Sequence, residues 1–223
     1  MDNAKIINLY NLDETQAEEY LLDYLYPWEA LSMICEMIRS LGPSLDPRLY
    51  EKTDDEVWIA KSAKIWENVG AIVGPCIIGE RTEVRPGAYI RGNALVGNDC
   101  VVGNSTELKN VILFNHVQVP HYNYVGDSIL GSYAHMGAGS ITSNVKADRS
   151  AIVVKEEGGE SIDTGLKKMG AMLGDHVEIG CNAVLNPGTV IGRNSQVYPV
   201  SCVRGVIPDH SIFKNNGEVV KRI

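Results

Sequence analysis

Aliphatic residues recur every six positions along most of this chain: Ile72, Ile78, Val84, Ile90, Val96, Val102 and Leu108, with Phe114 closing the run, then Leu173, Ile179, Leu185, Ile191, Val197 and Val203. Ile59 and Ile65 keep the same step just ahead, one residue out of phase. Four residues after the aliphatic comes a small or β-branched one, as at Cys76, Thr82, Ala88, Ala94, Cys100 and Thr106, and glycine often follows the aliphatic directly, as at Gly79, Gly97 and Gly103. A six-residue unit is too short for a helix and too regular for hairpins. Each unit therefore predicts one short strand plus one turn of a parallel solenoid, three strands to a coil, forming a triangular prism. The narrow interior of such a prism admits little beyond Ile or Val in one layer and Ala, Thr or Cys in the next, so Cys76 and Cys100 are expected to be core fillers.

The pattern changes at both ends and once in the middle. Residues 1–50 follow a helical period: Asp13 and Gln16 have capping-box spacing ahead of Tyr20, Leu21, Tyr24 and Leu25, and Pro27 suits the first turn of a second helix carrying Trp28, Leu31, Ile34, Cys35, Ile38 and Leu41 up to Gly42-Pro43. This predicts an N-terminal helical hairpin packed over one end of the solenoid, which itself spans 51–207. The hexads lapse between 115 and 171, and charges and glycines gather over 145–172. That segment is expected to be an excursion loop, with a small hairpin at residues 151–154, reaching over a binding face towards a neighbouring subunit. Residues 208–223 form a C-terminal tail with a turn at Asn216-Gly217.

Composition narrows the partners. The chain holds 22 glycines but only two phenylalanines, which suits thin repetitive β structure, and its formal charge of −8 argues against nucleic acid or an anionic membrane. Five cysteines without a CxxC pair suggest neither a disulfide framework nor a metal site. The first residues lack the charged start and apolar core of a signal peptide, and no run approaches the ~18 apolar residues of a membrane span. A cytoplasmic protein is expected.

Polar chemistry concentrates in residues 119–144, VPHYNYVGDSILGSYAHMGAGSITSN. Together with VGNSTELKNVILFNHVQ before it and TGLKKMGAMLGDHVEIG after the loop, this stretch resembles the acetyltransferase half of the bifunctional glucosamine-1-phosphate acetyltransferases and N-acetylglucosamine-1-phosphate uridyltransferases, archaeal sugar-phosphate versions included. The resemblance covers about two-thirds of the chain and implies an all-β solenoid, a left-handed β-helix of hexapeptide repeats, assembled as a homotrimer. It also implies an acetyl-CoA-dependent N-acetyltransferase acting on an amino sugar, taken as its 1-phosphate. The nucleotidyltransferase domain has no counterpart in these residues, so uridylyl transfer is not expected of them.

Carried over position by position, the resemblance makes His121 the general base, because attack on a thioester needs a neutral amine and an imidazole can take the departing proton. Asn144 joins it as the second catalytic residue. Arg85 and Lys109 match the cations for the sugar phosphate, which meet it at a cleft between subunits, and Tyr124 matches a sugar-contacting tyrosine. His135 stands where the family has an asparagine near the sugar amine, and Ser150 where it has a lysine, for which Lys146, Arg149, Lys155 or Lys168 could substitute. Coenzyme A is assigned to a groove past Ala138, where a small side chain lets pantetheine approach, and Cys181, where the family has a serine. No metal is assigned. Two rival readings remain: a non-catalytic trimeric scaffold or binding module, and a zinc enzyme of the γ-carbonic anhydrase kind using His116, His121 and His135.

Overall fold

A computed structural model describes residues 1–156 and 158–222. The chain from Val57 onwards winds into a parallel β-helix whose coils each lay one short strand on three faces. On the first face Cys76–Ile78 pairs with Ala94–Val96, and the stack continues through Glu107–Leu113, Tyr124–Leu130, Ala171–Leu173, Thr189–Ile191 and Val206–Ile207. The second face stacks Lys64–Ile65, Glu83–Val84, Val101–Asn104, Gln118–His121, His135–Met136, Glu178–Ile179, Gln196–Val197 and Ser211–Phe213. The third face runs from Ala71–Ile72 to Cys202–Val203 and shares the long strands Glu107–Leu113 and Tyr124–Leu130 with the first.

The hexad reading holds further along the chain than expected. Rather than lapsing at 115, the repeat loses one residue per coil. On the second face the inward residue steps from Val84 to Val102, 18 positions, then to Val119 and Met136, 17 at a time. On the first face the residue in register with Val96 is accordingly Leu113, not Phe114. Phe114 lies one position on, wholly buried, with its ring 4.9 Å from that of Tyr10. The repeat also continues past 207, since Ser211–Phe213 still pairs in parallel before Val219–Lys221 turns back antiparallel.

The first face differs from the other two. Its strands carry a middle residue that points away from the prism, and these residues are apolar: Ile77, Leu95, Ile112, Ile129, Met172 and Val190 are fully buried. Something must cover them, and the N-terminal region does. The N-terminal region lies along this face rather than over an end: Ile34–Leu41 packs on Ala94–Val96 and Glu107–Leu113, Pro27–Met33 on Tyr124–Leu130, and Asp2–Ala4 on Val206–Ile207. Each such aliphatic side chain withdrawn from water contributes about 1.5–3 kcal/mol.

Following a flat face also breaks the expected helical hairpin into the single turns Ile6–Leu9 and Glu18–Leu21 and a two-turn helix, Ile34–Leu41, joined by 3-10 segments. Asp13 makes no capping bond. Gln16 instead donates to the Tyr50 hydroxyl at 2.6 Å, and the Thr15 hydroxyl accepts from the Ala17 amide. Pro27 does open the second helical segment, with Glu29 accepting from the amides of Leu25 and Tyr26. The excursion folds back on its own chain instead of reaching outward. Val153–Lys155 pairs antiparallel with Ser161–Asp163, Ile152 and Val154 are fully buried, and Glu156 bridges to Val206. No helix among the described residues is long and apolar enough to cross a membrane.

Candidate functional site

The turns between faces form three edges, and each edge places one residue per coil in the left-handed region. Between the first and second faces these are Arg81, Asp99, His116, Tyr133, His176, Asn194 and His210; between the second and third, Asn68, Gly87, Ser105, Tyr122, Gly139, Asn182 and Val200; between the third and first, Asn93, Asn110, Asp127, Gly188 and Gly205. The candidate residues divide among these edges.

His121 stands on the second-to-third edge, just before Tyr122. Parallel pairing puts it level with Asn104 below, and the edge bonds run from the Gly139 amide to the His121 carbonyl, the Asn182 amide to the Ala138 carbonyl and the Val200 amide to the Cys181 carbonyl. His121, Ala138 and Cys181 thus form one column along the prism axis, and coil spacing of about 4.8 Å separates neighbours. His121 is exposed, and among the described residues its imidazole has no hydrogen-bond partner. Its backbone is fixed more firmly. The buried Asn123 accepts from the His121 amide at 3.1 Å and donates to the carbonyls of Gly137 (2.9 Å) and Ser140 (3.1 Å). Close stacking under the histidine requires glycine at 103, where a Cβ would lie 1.6 Å from the Pro120 carbonyl oxygen. Arg85 sits beside this edge two coils below His121, its guanidinium on Glu83 at 2.9 Å.

The third-to-first edge holds a second, denser group. Asp127 is buried and accepts from Lys109 Nζ at 3.0 and 3.2 Å, from Asn110 Nδ2 at 3.0 Å and from Asn144 Nδ2 at 2.5 Å. Asn144 Nδ2 also lies 3.2 Å from the Tyr124 hydroxyl, whose pKa is raised by burial so that the phenol stays protonated. Lys109, Tyr124 and Asn144 are therefore brought together. Asp127 and Asn110 were not singled out from sequence; they resemble ordinary turn residues, and only pairing of coils 17 residues apart shows them meeting Asn144 and Lys109.

Within one chain, however, His121 and Asn144 do not share an edge. A third-face strand, one hexad, lies between them. Arg85 and Lys109 are divided in the same way. The excursion leaves from the Asn144 edge and packs along it towards the later coils at Gly188 and Gly205, so it does not cover the same chain's His121; Ser150 is exposed, with its hydroxyl on Asp148, and Lys146 Nζ donates to the Ala151 carbonyl.

His135 lies on the second face, level with Gln118 and not with His121, and its Nδ1 is 2.8 Å from Glu178 Oε2. It borders a cleft of about 550 Å³ with His116, Tyr133 and His176, whose rings stack at 4.3 and 4.9 Å along the first-to-second edge. Within one chain His116 and His135 border this cleft while His121 occupies another edge, and among the described residues no three His, Cys, Asp or Glu side chains are grouped to hold a metal. Cys76 and Cys100 are buried fillers as expected, their thiols pushed up to about 12 by burial, whereas Cys181 and Cys202 are exposed.

Residues 72–158 match the family described as the GMPPB C-terminal domain. Over 97% of its length the chain is 31% identical to the bifunctional protein GlmU of Methanococcus maripaludis, of which it covers 52%. It is also 31% identical, over 58% of its length and 32% of the relative's, to a bifunctional sugar-1-phosphate nucleotidylyltransferase/acetyltransferase of Sulfurisphaera tokodaii. Among solved structures it resembles a hexapeptide transferase family protein from Anaplasma phagocytophilum, at 15% identity and a TM-score of 0.41 over 75% of this chain and 80% of that one. The chain spans about half the length of the first curated relatives it matches.

Proposed function

Taking the chain as the counterpart of the acetyltransferase half of GlmU-type proteins, we propose that it is an acetyl-CoA-dependent N-acetyltransferase whose acceptor is an amino sugar carried as its 1-phosphate. The observation that supports this most directly is the column of His121, Ala138 and Cys181, an unpartnered imidazole at one end of a ledge of small side chains and backbone amides. In this reading the pantetheine arm lies along the ledge with the thioester beside His121. The imidazole takes a proton as the sugar amine attacks the carbonyl carbon, backbone N–H groups hold the oxyanion, and collapse expels the coenzyme A thiolate, which leaves as the thiol.

The division of residues between two edges supports a homotrimer. If the His121 edge of one copy faces the Lys109–Asn144 edge of the next, base and sugar-binding groups meet at each subunit boundary, and neither edge suffices alone. Arg85 then supplies the phosphate contact from the His121 side, where a guanidinium can bind two oxygens once it leaves Glu83.

The test is a transfer assay. Purified protein incubated with acetyl-CoA and a panel of amino sugars, with and without a 1-phosphate, is expected to release free coenzyme A and form the N-acetyl product with at least one phosphorylated member. Acetyl-CoA binding without release for every amine would refute the enzyme and favour the scaffold.

A further inference from the structure

Asp127 is a carboxylate where the fold needs none. Its register neighbours on the same edge, Asn93 and Asn110, adopt the same left-handed backbone, with φ of 49° and 55° against 48° for Asp127. A neutral amide therefore satisfies this turn in the two coils below. Burying a carboxylate in its place is unfavourable unless the charge is compensated. Here compensation is complete. Asp127 Oδ1 accepts from Lys109 and Asn110, and Oδ2 from Lys109 and Asn144.

Two consequences follow. First, with both oxygens doubly engaged, Asp127 has no lone pair left to bind an acceptor or take a proton, so any role it has is exercised through its partners. Second, the Lys109 ammonium is already neutralised by Asp127 and keeps at least one of its three N–H groups free of the carboxylate. It is fixed as a directed donor, not offered as an open positive charge, and the same carboxylate fixes the Asn144 amide, which in turn meets the Tyr124 hydroxyl.

We infer that Asp127 is a positioning residue that fixes the Lys109 ammonium as a hydrogen-bond donor and, by holding the Asn144 amide nitrogen, sets the Asn144 carbonyl oxygen as an acceptor beside it for the sugar, an assignment that rests on the N-acetyltransferase reading above. It also changes what Lys109 recognises: hydroxyl or carbonyl oxygens of the sugar, leaving the phosphate to Arg85.

Asp127→Asn tests this in the full-length protein. Because asparagine occupies the same position in two other coils, the variant is expected to fold. Its KM for the acceptor should rise about tenfold or more through misplaced Lys109 and Asn144 groups, while its KM for acetyl-CoA stays at the wild-type value. A purely structural role would lower the unfolding temperature without separating the two KM values. Lys109→Met and the double variant Lys109→Met/Asp127→Asn complete a cycle. If Asp127 acts through Lys109, the double variant loses no more than the worse single one; losses that multiply overturn the assignment. The double variant leaves no buried charge at the edge, so it keeps the comparison in hand should a single variant be unstable. If wild type acetylates an amino sugar and Asp127→Asn keeps the wild-type acceptor KM, this assignment alone falls. If wild type acetylates nothing, the functional reading falls and this assignment with it.

Discussion

The edge bearing His121 and the edge bearing Asp127 are separated by one short strand, yet they solve opposite problems. On the His121 edge the side chains stand out from the prism with their backbone locked beneath them: Asn123 holds the turn, Gly103 lets the coils close, and the imidazole itself is left free. On the Asp127 edge the nitrogens of Lys109, Asn110 and Asn144 are all held by one carboxylate before any ligand arrives. A group that must exchange a proton cannot be held in a fixed bond at rest, whereas groups that only recognise a sugar gain by being set in advance. Under the proposed function one chain is an incomplete site, since each edge provides what the other lacks and a rigid prism cannot fold its own edges together.

Removing the imidazole gives the largest expected effect. His121→Ala should leave the unfolding free energy within about 0.5 kcal/mol of wild type, because the ring is exposed and makes no bond within the described structure. Under the proposed function it should lower kcat by roughly 10²–10⁴-fold. Acetyl transfer at the wild-type rate would remove His121 from the mechanism, and a large loss of stability would contradict the description of this edge as open.

The other edge should respond in the reverse sense. A Cβ at Gly126 would lie 2.5 Å from the Tyr124 hydroxyl and 2.9 Å from Asn144 Nδ2, the far ends of side chains that can move. Gly126→Ala is therefore expected to fold while pushing phenol and amide apart, raising the acceptor KM by about tenfold with kcat changed less. If KM is unmoved, preorganisation at this edge is not what binds the sugar.

How much of this could be read from sequence divides along the same line. The prism and its inward residues were legible because a six-residue period repeats over most of the chain. His121, Ala138 and Cys181 were legible through a resemblance carried by local motifs. The Asp127 cluster was not, since its members come from three successive coils and Asp127 reads as any turn aspartate in Tyr-Val-Gly-Asp. The course of residues 1–50 was misread for a related reason. Helical periodicity gives an apolar stripe but not its partner, and the outward row of Ile77, Leu95 and Ile112 that draws this segment along the first face is hidden inside hexads that look complete without it. The shift from 18 to 17 residues per coil likewise made the coils between 115 and 144 look interrupted, and moved Phe114 from the prism interior to the contact with Tyr10.

The smallest expected effect concerns the thiols, and it probes the open edge without altering it. Cys181 is exposed in the His121 column, Cys35 is half-buried on Ile34–Leu41 against the opposite side of the chain, and Cys76 and Cys100 are fully buried with thiols pushed up to about 12. The thiolate is the reactive form, so a maleimide should label Cys181 and Cys202 first in the native protein, Cys35 more slowly, and Cys76 and Cys100 only on unfolding. If coenzyme A lies along the ledge as proposed, saturating coenzyme A should slow labelling of Cys181 several-fold, as occupancy by a bound ligand requires, and leave Cys35 unchanged. Equal protection of Cys35 would indicate general stiffening, and no protection of Cys181 would move the pantetheine off this edge while leaving the His121 assignment to its own test.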